Sequence, residues 1–135
     1  DAGAIAALRD AAQKAGGDVK LVAPKLGGGV LSDGKRQAAD GQLAGTPSVV
    51  FDAVAVVLSA EAGKALSKES AAIDFVSNAW AHLKAIGHDE GAKALLKAAG
   101  VGSDPGIVQA SDAKGFIAAA ATRQWAREPK LRLLA

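Results

Sequence analysis

Val49-Val50-Phe51-Asp52-Ala53-Val54-Ala55-Val56-Val57-Leu58 is the most apolar run in the chain, interrupted by one charge, Asp52. Its valines are β-branched, and no polar residues alternate with them. A strand with one wet face alternates. An unbroken run is expected of a strand buried on both faces, as in a parallel sheet covered by helices. Downstream, a helix is predicted from about Lys68 to Leu83. Ile73, Val76, Trp80 and Leu83 form its buried face, and Lys68, Glu69, Asp74 and Asn78 fall mostly elsewhere. Ser59 or Ser67 is placed to cap it. Lys84-Ala85-Ile86-Gly87 then reads as a short strand. Asp89 caps a helix through Ala99 that Gly100 ends, and Ile107-Val108 is a last short strand. Ser111 or Asp112 caps a final helix carrying Phe116, Ile117, Ala121 and Trp125, which Pro129 keeps from extending far.

Upstream of the valine run, Ile5, Leu8, Ala12 and Ala15 make one apolar stripe, and Gly16-Gly17 ends that helix. Val19-Lys20-Leu21-Val22-Ala23 is a β-rich run stopped by Pro24. Residues 24 to 48 lack helical periodicity. Within them Ser32-Asp33-Gly34-Lys35 is a hairpin signal, so a small β excursion is expected. No internal repeat or low-complexity linker interrupts the chain.

Alternating helices and strands make the class α/β, three-layered, with a mainly parallel sheet. Right-handed winding asks for a strand ahead of the first helix. In a sheet of order 2-1-3-4-5 that strand is a central one. Residues 1–135 are therefore expected to be a single domain truncated at its N-terminus, with an apolar strand upstream of Asp1.

The 135 residues are half apolar, with only three phenylalanines and two tryptophans as aromatics. Alanine and small aliphatics must fill the core. Sixteen basic and fourteen acidic residues give a net charge of +2, too mild and too mixed for a nucleic-acid or membrane surface. No run reaches the roughly 18 apolar residues of a membrane span, and no signal peptide is visible. Cysteine is absent, so disulfides and thiolate nucleophiles are excluded. Methionine is absent too, which fits a chain that begins inside a longer polypeptide.

Five segments carry a resemblance. They are Leu21-Val22-Ala23-Pro24-Lys25-Leu26-Gly27, the run from Ala39 to Val54, Ala79-Trp80-Ala81-His82-Leu83-Lys84-Ala85-Ile86-Gly87, Gly106-Ile107-Val108, and Arg123-Gln124-Trp125-Ala126-Arg127-Glu128-Pro129-Lys130. In this order they resemble the C-terminal domain of large-subunit monofunctional haem catalases. The resemblance implies a flavodoxin-like fold, similar to class I glutamine amidotransferases. It implies a homotetrameric, cytoplasmic parent that disproportionates hydrogen peroxide to water and oxygen in oxidative-stress defence. Haem and its ligands belong to that parent's core, which is the expected partner in the same polypeptide. No catalytic, cofactor-binding or metal-binding residue is carried over to this chain. The expected role is accessory, stabilising the assembled enzyme. The alternatives are a chaperone-like or small-ligand-binding module and, last, an amidotransferase-like hydrolase.

Five constellations bear on those alternatives. Amidotransferase-like enzymes place a cysteine on a strand-to-helix elbow, and the equivalent turn here is Ile86-Gly87-His88-Asp89-Glu90-Gly91. It lacks the nucleophile, so the preferred reading is a helix cap beside an exposed histidine. His82, His88, Asp89 and Glu90 match no standard metal spacing. Gly27-Gly28-Gly29 lacks the helix that a phosphate loop must open into, and reads as a turn. Arg123, Trp125, Arg127, Lys130 and Arg132 could form a basic-aromatic patch. The preferred reading puts Trp125 on the apolar face of the last helix, with the cations offsetting its dipole. Ser48, Ser59 and Ser77 lack the partners of a triad.

Overall fold

A computed structural model describes residues 1–25 and 27–132, without the side chains of Lys130 and Arg132. Leu26, within the first of the five segments, lies outside the described residues. Helix α1 spans Ala2–Lys14, capped by Asp1, whose carboxylate accepts from the Ala4 N–H at 3.1 Å. Its end is set by glycine, as the sequence predicts. Gly16 sits at φ +80, and the Gly17 N–H donates to the Ala12 carbonyl at 2.8 Å, closing the helix terminus.

The next stretch holds four two-residue strands: β1 (Val22–Ala23), β2 (Gly29–Val30), β3 (Arg36–Gln37) and β4 (Gly41–Gln42). β2 and β3 form the expected antiparallel hairpin, with Gly34 at φ +81 in its turn. A Cβ on Gly28 would strike the Gln37 carbonyl, so that one glycine of the run is demanded by close backbone approach within the hairpin. The strand expected over Val19–Ala23 is reduced to β1. It pairs in parallel with β4 and joins no other described strand.

The main sheet is three-stranded and wholly parallel, in the order β5 (Ala53–Val56), β6 (Ala85–His88), β7 (Ile107–Gln109). The valine run is thus strand over only part of its length. After Pro47, residues Ser48–Val50 close a 3-10 turn, in which the Phe51 N–H reaches the Ser48 carbonyl at 3.1 Å. Nor is β5 buried throughout. Val54 and Val56 are buried, but Ala55 is exposed.

The long helix predicted from Lys68 divides in two. Ser59 caps α2 (Ala60–Leu66) through the Ala62 N–H, whereas Ser67 ends α2 by donating to the Lys64 carbonyl. α3 runs over Ser70–Ala81 without a side-chain cap, and its buried face is Ala72, Val76, Ala79 and Trp80. Leu83 ends it in the left-handed region, at φ 63, while its side chain stays buried. A 3-10 turn at Glu90–Ala92 leads into α4 (Lys93–Ala98). α5 (Ala113–Ala120) is capped by Asp112 and is shorter than predicted. It ends before Trp125, which lies in a separate 3-10 turn, Trp125–Arg127. Pro129 then stands in the first turn of α6 (Glu128–Arg132), where a missing N–H costs nothing.

Two apolar clusters sandwich the sheet. α3 and α4 pack on one face against Val54, Val56 and Ile86. α1 and α5 cover the other, where Leu8 and Phe116 meet Ala85. The small residues of β6 explain the fit. A Cβ on Gly87 would lie 2.9 Å from the Phe116 ring, so glycine lets that ring rest on the strand. Burying side chains such as Ile86 and Val76 stabilises the fold by about 1.5–3 kcal/mol each. Helices on both sides of a parallel sheet make the three-layer, flavodoxin-like arrangement the sequence predicts.

Candidate functional site: the two ends of the central strand

In open α/β sheets, sites form at the C-terminal ends of the strands, so the elbow after β6 is the first place to examine. Asp89 organises it. Its carboxylate accepts the Leu58 N–H at 3.0 Å, from the loop after β5, and the Ala92 N–H at 3.0 Å. Its own N–H donates to the Val56 carbonyl at 3.3 Å. One side chain therefore caps the following turn and ties it to the neighbouring strand. The cap predicted at Asp89 is present, but the exposed histidine is not: His88 is 8% exposed, closing the end of β6. The Ala110 N–H donates to its carbonyl at 2.7 Å, continuing the pairing with β7.

The His88 Nδ1 lies 3.1 Å from the Asp89 carbonyl oxygen. A carbonyl only accepts, so this contact is a hydrogen bond in the tautomer that carries its proton on Nδ1. Asp89 meets this imidazole through its backbone, not its carboxylate. The pair thus lacks the orientation of a proton-relaying dyad. The elbow is also unstrained, since Leu83 is the one non-glycine residue with positive φ among the described residues. Glu90 pairs with Lys93 at 2.8 Å, and that hydrogen bond, reinforced by the lysine charge, holds its carboxyl below the usual carboxylate range. His88, Lys93, Lys97, Ser103 and Ile107 border an open recess of about 450 Å³. Glycines fit the elbow together. A Cβ on Gly63 of α2 would strike the Gly91 carbonyl, and one on Gly91 would strike the Leu58 carbonyl.

Among the described residues, no group of three or more His, Asp or Glu is arranged to hold a metal ion. His82 lies exposed at the end of α3, apart from the elbow. Ser48 is buried, and its hydroxyl has no hydrogen-bond partner. Ser59 is spent on its cap.

The opposite end of β6 holds the residue that sequence reasoning misjudged. Arg127 is 1% exposed and contributes nothing to a surface patch. Its Nε and Nη2 donate to the two Asp104 carboxylate oxygens at 2.7 and 3.2 Å, a bidentate pair. Its Nη1 donates to the Trp80 and Lys84 carbonyls at 2.9 and 3.0 Å. Its guanidinium lies 4.0 Å from the centre of the Trp80 ring. One side chain therefore joins the end of α3, the entry to β6 and the turn before β7. The Gln124 N–H adds a bond to the Leu83 carbonyl at 2.7 Å. Trp125 is 62% exposed instead of continuing the apolar face of α5. The patch read from Arg123 to Arg132 thus breaks into an exposed tryptophan and a buried structural arginine. The Lys130 and Arg132 side chains lie outside the described ones. Asp104-Pro105-Gly106 is legible as a turn, in which the Asp104 carboxylate accepts the Gly106 N–H at 2.8 Å, but Arg127 lies too far along the chain for local spacing to pair it with Asp104.

No described helix is long and apolar enough to cross a membrane. Residues 1–124 match the family model described as the C-terminal domain found in long catalases. Catalase C of Rhizobium meliloti (strain 1021) is 41% identical over 139 residues, covering 98% of this chain and 20% of that protein. Catalase HPII of Pseudomonas aeruginosa is 33% identical over 77% of this chain and 15% of its own length. Catalase-B of Dictyostelium discoideum is 30% identical over 92% of this chain and 19% of its own length. The chain spans about a fifth of the length of these relatives. With the parallel sheet and its covering helices, these matches place the chain in one family: it belongs to the C-terminal domains found in long catalases.

Proposed function

We propose that this chain is an accessory, non-catalytic domain of a haem catalase that disproportionates hydrogen peroxide to water and oxygen. In this reading it sits in the same polypeptide as the catalase core, which binds the haem, and it stabilises the assembled homotetramer. The parent is a cytoplasmic enzyme of the oxidative-stress response, with neither nucleic acid nor membrane as partner. Residues 1–135 form one domain.

The observation that carries the accessory role is the chemistry of the elbow. Asp89 spends its carboxylate on two backbone N–H groups, and His88 turns its Nδ1 to a carbonyl. The two groups nearest the end of β6 are turned to the backbone and Glu90 is paired with Lys93, which favours a scaffold over an amidotransferase-like hydrolase. The test is removal of this segment from the longer polypeptide. Peroxide turnover per haem should persist, while thermal inactivation and tetramer dissociation become faster. Loss of turnover per haem in an intact tetramer would contradict the non-catalytic role. Unchanged stability would contradict the stabilising one.

A further inference from the structure

The recess of about 450 Å³ beside His88 lies on the β7 side of the sheet, and its size falls within the roughly 300–1,000 Å³ of ordinary small-molecule pockets. Strand alternation sets its floor. Ile86 and its partner Ile107 face the α3 and α4 layer, and His88, two residues after Ile86, faces the same way. α4 supplies one wall, with Lys93 and Lys97 one turn apart and both exposed. The loop 100–103 forms the lip, and Leu96, Val101 and Ile107 make part of the interior apolar.

The polar groups of this recess are of one kind. Among the described residues its lining holds two lysines and a histidine and no carboxylate. Lys97 has no ion-pair partner among the described residues, and Lys93 pairs with Glu90, an exposed residue outside the lining. The carbonyls at the end of α4 already accept from Ala99, Gly100 and Val101 at 2.9, 3.1 and 3.0 Å, so Lys97 is not spent as a cap. His88 is 8% exposed and borders the recess. Its Nδ1 meets the Asp89 carbonyl, and its Nε2 has no hydrogen-bond partner among the described residues. The N–H groups of Gly102 and Ser103 meet no acceptor there either. The loop that carries them is held in place. A Cβ on Gly102 would touch the Trp80 ring at 3.4 Å, and Asp104, which follows Ser103, is fixed by Arg127.

We propose that this recess binds a small phosphate monoester with an apolar body, Lys93 and Lys97 facing the phosphate and Leu96, Val101 and Ile107 facing the carbon skeleton. The imidazole decides for phosphate over carboxylate. Neutral, with its proton on Nδ1, it presents a lone pair at Nε2 that repels a bare carboxylate. A phosphate monoester has a second pKa of about 6, so near neutrality one proton is available to lie between its oxygen and Nε2. Its other oxygens take the lysines and the loop N–H groups. A carboxylate, ionised well below neutrality, brings no such proton. The proposal is independent of the accessory role in catalase.

The test titrates the 135-residue chain with phenyl phosphate, followed by amide and phosphorus NMR. Saturable one-to-one binding is expected, with a Kd of about 1 mM or below and shifts concentrated at His88, Gly102 and Ser103. Benzoate, of similar apolarity, should bind about tenfold or more weakly, since it brings no proton to Nε2. Inorganic phosphate should also bind more weakly than phenyl phosphate, for want of the apolar contact. In the chain, Lys93→Gln together with Lys97→Gln should weaken binding by about tenfold or more. Circular dichroism should not change, because both side chains are exposed. Lys114→Gln, exposed on α5 across the sheet, should leave binding unchanged. Non-saturable shifts, shifts spread over lysines elsewhere, or equal affinity for benzoate or inorganic phosphate overturns the proposal. So does binding that the paired lysine variant leaves intact, or that Lys114→Gln weakens as much.

Discussion

β5 and β6 lie side by side and are built from equally small residues, yet they live differently. β6 has a partner on each edge, all four of its residues are buried, and each of its ends is fixed by a polar side chain. Asp89 holds its exit and Arg127 its entrance. β5 has one partner among the described strands and an open edge, and its Ala55 meets solvent. Beyond that edge the chain from Gly17 to Val50 makes strands of only two residues. A sheet is thus closed on one side of β5 and unfinished on the other. Regular structure forms where two faces and two edges are satisfied together, and stays fragmentary where one edge is not.

The largest effect expected from breaking the closed side comes from Arg127. Arg127→Ala removes the guanidinium from the Asp104 carboxylate and takes one donor each from the Trp80 and Lys84 carbonyls. The expected cost is about 3–5 kcal/mol in chemical denaturation. If Arg127 were only a solvated cation, the change would stay near the ±0.5 kcal/mol of a surface substitution. Ile86→Ala in β6 should cost about 2–5 kcal/mol. Val22→Ala, in half-buried β1, should cost less than about 1 kcal/mol, and equal losses at the two positions would erase the contrast. Gly63→Ala should cost about 1–3 kcal/mol, because the new methyl meets the Gly91 carbonyl at the exit of the closed half.

The smallest effect belongs to Glu90. Its hydrogen bond to Lys93 lowers its pKa in the folded chain. The contribution is therefore present above the ordinary carboxylate pKa and lost as pH falls through the lowered value. Glu90→Gln should give a slight fall in Tm at neutral pH that disappears in acid and shrinks in high salt. A difference that grows on acidification would reverse that assignment.

Much of the closed half was legible in the sequence. Ala85 to Gly87, Ile107-Val108, the cap at Asp89, one of the two caps offered at Ser111 and Asp112, and Val76, Trp80 and Leu83 of the stripe follow from local pattern. So does the hairpin, through Gly34 and Ser32-Asp33. Ile73, by contrast, is only partly buried, and Ala72 and Ala79 take its place. The valine run misled because apolarity alone does not separate a strand from the turn that Pro47 starts, and because it cannot reveal an absent neighbour. The elbow was half legible. Asp89 announced a cap, but burial of His88 depends on α4 and β7 closing over it. Arg127 was illegible, since its four acceptors come from three segments far away in sequence, and a cation among other cations looks like a solvated tail. The expected strand upstream of α1 came from winding rules alone.

The contrast between the two halves is tested most directly by native-state hydrogen exchange of the 135-residue chain, read amide by amide. The account predicts that the amides of Ile86, Gly87 and His88 exchange only through global unfolding. Those of Val19 to Ala23 should exchange by local opening, at least about a hundredfold faster. Equal protection in both segments would mean that the sheet is closed as it stands, and would contradict the account.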